Sequence, residues 1–380
     1  MVTGDDARIT RVTEGGEIQL PYADVLTLAG SVEETGHGAL HAATRAGAVA
    51  TSPHLLASAP FSPATAAAAE AALVGLGAAL TAWSGATVLD AQAVRQAAHL
   101  LAEADDVAQV GLLNLEHTVA ASYGREGVAP VVRPTGLEVR SSTTAPADLA
   151  SLIEHVGQLN DLSDADHPGN KGTIEVQTVT AADGTRRHIV YLPGLDDFDP
   201  VSVDGDVRDV GAAVALEAGV PTAYGAGVVQ ALHDAGVRPD EDVLIVGHSQ
   251  GGMQAAALAV QGTPYHLTQV VTAGSPVVPG HLHPGVHVLS LEHQGDGIPL
   301  LDAGSADHSA HHVTVTFAEG HSPDPFGNHD ASHYVAGAHA AEASTDPVVH
   351  EAVADLDPFL AHPGEEVEST VFQITRGDGR

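Results

Sequence analysis

The sequence predicts an α/β protein whose mostly parallel sheet is covered on both faces and is preceded by an α-helical region. Two observations lead to this prediction. Residues 63–81 and 90–122 are rich in Ala and Leu, which are the strongest helix formers. Downstream of residue 149, short apolar strand patterns alternate with helical segments, as expected of a parallel sheet flanked by helices.

The change of pattern near residue 127 predicts the domain organisation. Residues 128–148 contain three prolines and several Ser and Thr but little apolar periodicity, which predicts a linker. We therefore expect an α-helical domain built around a helical hairpin over residues 1–127 and an α/β domain over residues 149–380.

The α/β region contains a series of predicted strands and helices. The strand patterns cover residues 173–180, 187–192, 243–246, 269–272, 286–291 and 313–317, and the helical segments lie around 210–218 and 223–235. Residues 243–246, Val-Leu-Ile-Val, form the short continuous apolar run that is typical of a strand buried on both faces. This run is the best candidate for the centre of the sheet.

Composition excludes several classes of function. The chain of 380 residues has 49 acidic and 14 basic side chains, so nucleic acid and anionic membrane surfaces are not expected as partners. Cysteine is absent, which excludes disulfides and thiolate nucleophiles.

The uncharged stretch between Glu70 and Asp90 is too rich in small residues for a stable membrane span. No signal peptide is visible, so we expect a cytoplasmic protein or export by another route.

The main chemical motif follows the central strand. Residues 243–246 lead directly into Gly247-His248-Ser249-Gln250-Gly251, and an alanine-rich helix begins at about Met253. A sharp turn between strand and helix forces the serine into a strained conformation, and the flanking glycines let neighbouring chain pass closely. The Ser249 hydroxyl is therefore the candidate nucleophile, and the Gln250 amide at the helix N-terminus is the candidate donor to an oxyanion.

This motif, with the earlier Val190-Tyr191-Leu192-Pro193-Gly194-Leu195, resembles the α/β-hydrolase family over roughly residues 170–376, and its Gly-His-Ser-Gln-Gly form looks like that of lipases and esterases. The resemblance implies that Leu195, or with less support Asp196, supplies a second oxyanion amide. It also implies a doubly wound sheet and a triad whose members follow the order serine, acid, histidine.

The same resemblance, applied to positions along the chain, implies the remaining triad residues. Asp296 lies in the loop after the strand 286–291, within an Asp-Gly-Ile-Pro run similar to that of relatives, and is the expected acid. Its alternatives are Glu292 and Asp302. The expected base is His329, because relatives place the histidine shortly before a helix that carries an aromatic residue, here Tyr334. The alternative bases are His333 and His321.

Other clusters of titratable residues lack a complete ligand set. The histidines between residues 281 and 312 contain no His-Glu-x-x-His helix, and the aspartates between residues 196 and 209 lack the closing glutamate of a calcium loop. We therefore expect no metal and no cofactor.

Trp83-Ser84-Gly85 lies at the bend of the expected helical hairpin. It resembles the Trp-x-Gly turn of the WXG family of small helical secretion proteins of actinobacteria, over about residues 10–124. The resemblance implies a helical partner bound through residues 60–124. The export signal that often follows in that family is incomplete, since Tyr123 is followed four positions later by Gly127, and Glu126 is one position short.

Together these features predict a serine hydrolase that cleaves an ester or thioester of a small molecule or lipid through an acyl-enzyme on Ser249. The alternative is an interaction or export module, similar to type VII secretion proteins, that carries an inactive hydrolase-like domain. A histidine that reaches Ser249 and also contacts a carboxylate distinguishes the first from the second. The sequence does not identify the substrate, because the pocket is built from loops.

Overall fold

The computed structural model describes residues 7–14, 22–53, 67, 69–81, 84, 88, 126–163, 167–196, 205–276, 280–299, 311–319 and 327–377. The chain divides into two compact units. The larger unit comprises Met1–Ile18 and Gly111–Arg380, and the smaller unit comprises Gln19–Val110.

The described residues of the smaller unit are helical, apart from the turn at Thr51 and Ser52. Helix α1 (Tyr22–Ala50) buries a row of alanines spaced three or four residues apart, which is the spacing of one helix face. These residues are Ala39, Ala43, Ala46 and Ala50. A further helical segment spans residues 69–81, as the sequence predicts. Trp83, Gly85 and the predicted helix 90–122 lie outside the described residues. No described helix combines the length and apolarity needed to cross a membrane.

The larger unit is built on one mixed sheet in the order β1-β8-β7-β6-β5-β4-β3-β9-β2. The strands are β1 (Arg8–Glu14), β2 (Pro130–Pro134), β3 (Thr173–Thr180), β4 (Arg186–Leu192), β5 (Asp242–His248), β6 (His266–Ala273), β7 (His287–His293), β8 (His312–Ala318) and β9 (Glu366–Arg376). Strands β4 to β8 are parallel, and antiparallel strands complete both edges. The parallel centre places the carboxyl ends of β4, β5, β6, β7 and β8 along one edge of the sheet.

Helices cover both faces of this sheet, so the predicted α/β class is confirmed. They are α2 (Leu149–Asn160), α3 (Val210–Glu217), α4 (Ala223–Asp234), α5 (Gln250–Gln261), α6 (Ala331–Glu342) and α7 (Pro347–Ala354). Alternate residues of β5 show the two faces: Leu244 and Val246 pack in a cluster with α2, α6 and α7. Val243 and Ile245 pack in a second cluster with α4 and α5. A continuous apolar strand pattern therefore reflects burial on both sides.

Polar residues set the starts of these helices. In five of them the residue before the helix accepts hydrogen bonds from backbone N–H groups of the first turn: Asp148, Asp209, Thr222, Asp330 and Asp346. Such caps satisfy donors that have no partner inside a helix. Helix α5 differs, because it begins directly after Ser249 and has no side-chain cap.

Two boundary predictions are wrong. The predicted linker 128–148 contains β2, which pairs with β9, and the two prolines of β2, Pro130 and Pro134, are tolerated because β2 is an edge strand. The predicted helical domain 1–127 contains β1, which pairs with β8 and belongs to the larger unit. Both strands are short, and their partners lie more than two hundred residues away, so local periodicity could not identify them.

Helix α7 offers a test of the packing on one face. Val349 is fully buried in the first cluster, whereas its neighbour Val348 is only half-buried. We expect Val349→Ala to lower the free energy of unfolding by about 2 kcal/mol, because it removes buried methyl groups and leaves a cavity. The matched variant Val348→Ala should cost less than about 1 kcal/mol. Urea unfolding measures both, and equal losses would contradict the assigned packing.

Candidate active site

Ser249 has a backbone conformation unlike that of any other non-glycine residue in the described chain. Its φ is 54° and its ψ is −126°, and no other described non-glycine residue has a positive φ. Glycine is needed around it: a Cβ at Gly247 would lie 2.4 Å from the Gly251 carbonyl carbon, and a Cβ at Gly251 would lie 2.0 Å from the Leu192 carbonyl oxygen. The turn therefore has the tight geometry that the sequence predicts for residues 247–251.

A chain of hydrogen bonds joins Ser249 to a histidine and a carboxylate. His329 Nε2 lies 2.8 Å from Ser249 Oγ, and His329 Nδ1 lies 2.6 Å from Asp296 Oδ2. With the Nδ1 proton donated to the carboxylate, Nε2 is free to accept the proton of the serine hydroxyl. Asp296 follows β7 and His329 precedes α6, so elements far apart in the sequence bring the three side chains together.

Asp296 is held in its ionised form. The Tyr334 hydroxyl donates to Oδ2 at 2.5 Å, and the Ile298 amide donates to Oδ1 at 2.8 Å. Burial raises the pKa of Asp296, but hydrogen bonds from His329, Tyr334 and Ile298 outweigh it and leave the pKa below its ordinary value. A charged carboxylate can therefore orient His329 and stabilise its protonated form.

His248, the residue before Ser249, contacts both the backbone and the ring of His329. Its Nε2 donates to the His329 carbonyl oxygen at 2.8 Å, and the two rings lie 4.7 Å apart. Burial, together with electrostatic repulsion between the two imidazoles when both are protonated, lowers the pKa of His248 to about 4. His248 therefore stays neutral near pH 7 and does not compete with His329 for a proton. No pattern in the sequence indicates this role of His248 or the contact of Tyr334 with Asp296.

Two residues beside Ser249 carry the backbone amides that the sequence predicts as donors to an oxyanion. The expected donors Leu195 and Gln250 both line the cavity around Ser249, and neither amide has a hydrogen-bond partner among the described residues. The less favoured Asp196 amide donates to the Arg208 carbonyl oxygen at 2.9 Å, so it is already engaged. Gln250 is also the first residue of α5, where the helix dipole favours negative charge.

The alternative triad residues occupy other places. His333 Nδ1 forms a hydrogen bond with Glu319 rather than with Ser249, and Glu292 lies buried within β7. Asp302 and His321 lie outside the described residues. No group of three His, Cys, Asp or Glu side chains in the described part of the chain is arranged to hold a metal ion.

A cavity of about 1460 Å³ opens beside Ser249. Many of its apolar lining residues come from α3, α5 and the loops that follow the strands: Leu195, Ala213, Val214, Met253, Pro276 and Ile298. Four carboxylates also line it, namely Glu154, Asp161, Glu217 and Asp330, whereas no Lys or Arg belongs to its described lining. The cavity therefore offers apolar surface near the serine together with a negative potential.

The contact between Tyr334 and Asp296 predicts a pH-dependent loss of stability. Tyr334→Phe removes a donor to the carboxylate, so the pKa of Asp296 should rise, and the free energy of unfolding at pH 7 should fall by about 2 kcal/mol. A carboxylate whose pKa is lowered in the folded state contributes stability that is lost as the pH falls through that pKa. The difference between variant and wild type should therefore shrink below pH 3.8, the ordinary value.

Urea unfolding at a series of pH values measures this difference. Tyr224→Phe is the matched control, because the buried Tyr224 hydroxyl has no hydrogen-bond partner among the described residues. Its effect should be small and independent of pH. A loss in Tyr334→Phe that stays constant as the pH falls below 3.8, over the whole acid range in which the wild type is folded, would contradict the assigned contact.

Comparisons with known proteins add no assignment. Protein-family models, curated proteins and solved structures were each compared with the chain, and no match was found. The function is therefore inferred from the geometry of Ser249, His329 and Asp296 and from the cavity beside them.

Proposed function

We propose that the chain is a serine hydrolase of α/β-hydrolase fold that cleaves an ester or thioester through an acyl-enzyme on Ser249. The single observation that carries the proposal is the continuous hydrogen-bonded chain from Ser249 through His329 to Asp296. A strained serine between a parallel strand and a helix is the setting in which this fold exposes its nucleophile.

Acylation begins when Ser249 Oγ attacks the carbonyl carbon of the ester. His329 Nε2 takes the hydroxyl proton, and the carbonyl electrons move onto oxygen, where the amides of Leu195 and Gln250 stabilise the charge. As the tetrahedral intermediate collapses, the bond to the leaving group breaks, and His329 returns the proton to the departing alcohol or thiol. Asp296 stays ionised and stabilises the imidazolium throughout.

Deacylation repeats these steps with water. His329 takes a proton from water as the oxygen attacks the acyl carbon, and the same amides hold the second oxyanion. The bond to Ser249 Oγ then breaks, and the proton held by His329 restores the serine hydroxyl. The product is a carboxylic acid, and the enzyme returns to its starting state.

The alternative of an inactive domain carried by an interaction module is less well supported. It requires that no histidine in contact with a carboxylate reach Ser249. His329 contacts both Ser249 and Asp296, so the geometry favours the hydrolase.

The proposal predicts that Ser249 is the residue modified by a fluorophosphonate probe. Purified protein should hydrolyse short p-nitrophenyl esters, and peptide mass spectrometry should place the label on Ser249. Ser249→Ala should abolish labelling and lower kcat by at least about 10⁴-fold, because the nucleophile is lost.

Ser332→Ala is the matched control. Ser332 lines the same cavity, but its hydroxyl donates to Asp330 rather than to a histidine. This variant should keep its labelling and most of its activity. Folded wild-type protein that is not labelled at Ser249 would refute the proposed function.

The charge of the cavity predicts selectivity among substrates. Among p-nitrophenyl esters of equal acyl length, one whose acyl group ends in a carboxylate should have a kcat/KM about 10-fold lower than a neutral one. The carboxylates that line the cavity repel it, and the gap should narrow as ionic strength rises.

Glu217→Gln should reduce this discrimination, since Glu217 lines the cavity. Glu351→Gln should leave it unchanged, because Glu351 is exposed on α7 and is not part of the cavity lining. Equal kcat/KM values for the neutral and anionic esters in wild-type protein would contradict the assigned pocket.

A further inference from the structure

Arg208 lies behind the loop that carries the Leu195 amide. It is the largest fully buried side chain in the described part of the molecule, and it precedes α3 by two positions. A buried guanidinium loses its hydration, and an ion pair in the interior seldom repays that loss in stability. The position of Arg208 therefore points to a role in geometry.

The guanidinium holds the loop at several points. Nη1 donates to the Gly194 carbonyl oxygen at 2.8 Å, and Nη2 donates to Asp196 Oδ1 at 2.6 Å and to Ser163 Oγ at 2.5 Å. The Asp196 amide donates to the Arg208 carbonyl oxygen at 2.9 Å, and Asp196 Oδ2 accepts from the Gly172 amide at 2.7 Å. The residues on both sides of Leu195 are thus fixed.

Peptide geometry connects these contacts to the Leu195 amide. The Gly194 carbonyl and the Leu195 N–H belong to one planar trans peptide group, so they point in opposite directions. When Arg208 holds the carbonyl oxygen, the N–H must point away from Arg208. A Cβ at Gly194 would lie 3.1 Å from Ser249 Cβ, so this peptide group passes directly beside the serine.

A charged donor on the carbonyl also affects the strength of the amide. Hydrogen bonds that follow one another through a peptide group polarise it, which makes its N–H a better donor. Arg208 therefore sets the direction of the Leu195 amide and increases its capacity to stabilise negative charge.

We propose that Arg208 is a positioning residue that directs and polarises the Leu195 amide toward the oxyanion formed at Ser249. This inference rests on the proposed function and adds a residue that touches neither substrate nor the reacting atoms. Its effect belongs to the tetrahedral intermediate and the transition states that flank it, because negative charge develops on the oxygen there and not in the bound ester.

Arg208→Lys tests this role while keeping the positive charge. A lysine ammonium lacks the planar fork that contacts Gly194, Asp196 and Ser163 together. We expect kcat for a p-nitrophenyl ester to fall about 10- to 100-fold with KM changed less than about 3-fold, since misdirecting one donor approaches the effect of losing it. Affinity for a trifluoromethyl ketone, which mimics the tetrahedral intermediate, should fall by a similar factor.

Arg187→Lys is the matched control. Arg187 is also a buried arginine, with an ion pair to Glu365 and a hydrogen bond to the Leu360 carbonyl oxygen, but it does not line the cavity of Ser249. It should lower thermal stability without changing kcat or affinity for the ketone.

If Arg208→Lys does not fold, Ser163→Ala replaces it. That variant removes one contact of Arg208 and should lower kcat about 3-fold.

The outcomes separate this inference from the proposed function. Wild-type protein that is labelled at Ser249, together with a folded Arg208→Lys variant of unchanged kcat, would overturn the role of Arg208 alone. An equal loss of kcat in Arg187→Lys would also overturn it, because the effect would then be general. Wild-type protein that is folded but not labelled at Ser249 would overturn both.

Discussion

The strained backbone of Ser249 is the constraint on which the rest of the site depends. A serine at φ 54° costs about 1–3 kcal/mol, so the surrounding structure must hold it in place. The Ser249 amide donates to the Ala273 carbonyl oxygen on β6 at 2.9 Å, and the Ser249 carbonyl oxygen accepts from the amides of Gly252 and Met253 in α5. The strand and the helix thus fix the turn from both sides, and the hydroxyl projects at the carboxyl edge of the sheet.

The parallel centre of the sheet explains how distant residues meet at this edge. Strand β4 leads to Leu195, β5 to Ser249, and β7 to Asp296, while His329 lies in the segment between β8 and α6. The carboxyl ends of parallel strands lie side by side, so the loops that follow them bring their residues together at the same cavity. Further hydrogen bonds hold these residues: Tyr334 donates to Asp296, His248 to the His329 carbonyl oxygen, and Arg208 to the Gly194 carbonyl oxygen next to Leu195.

Much of the site could be predicted from the sequence, because its central signal is local. The strand, the glycines and the helix around Ser249 are contiguous, and the resemblance to α/β-hydrolases, together with position along the chain, indicates Asp296 and His329. The supporting residues could not be found in this way. Arg208 follows a segment without apolar periodicity, and its partner Gly194 lies fourteen positions away. Strand β1 could not be predicted for the same reason, because its partner strand is distant in the sequence: Arg8 pairs with Ala318.

The most direct test of the central claim is to trap the acyl-enzyme itself. Wild-type protein is mixed with a p-nitrophenyl ester, quenched in acid within the first turnover, digested and analysed by mass spectrometry. A nucleophilic Ser249 should produce a burst of p-nitrophenol close to one equivalent per protein and an acyl group on the peptide that contains Ser249, provided that deacylation is the slower step. An ester with a branched acyl group should deacylate more slowly, so it tests whether a burst appears once deacylation is the slower step. Hydrolysis of this ester with the acyl group on another residue, or on none, would contradict the account.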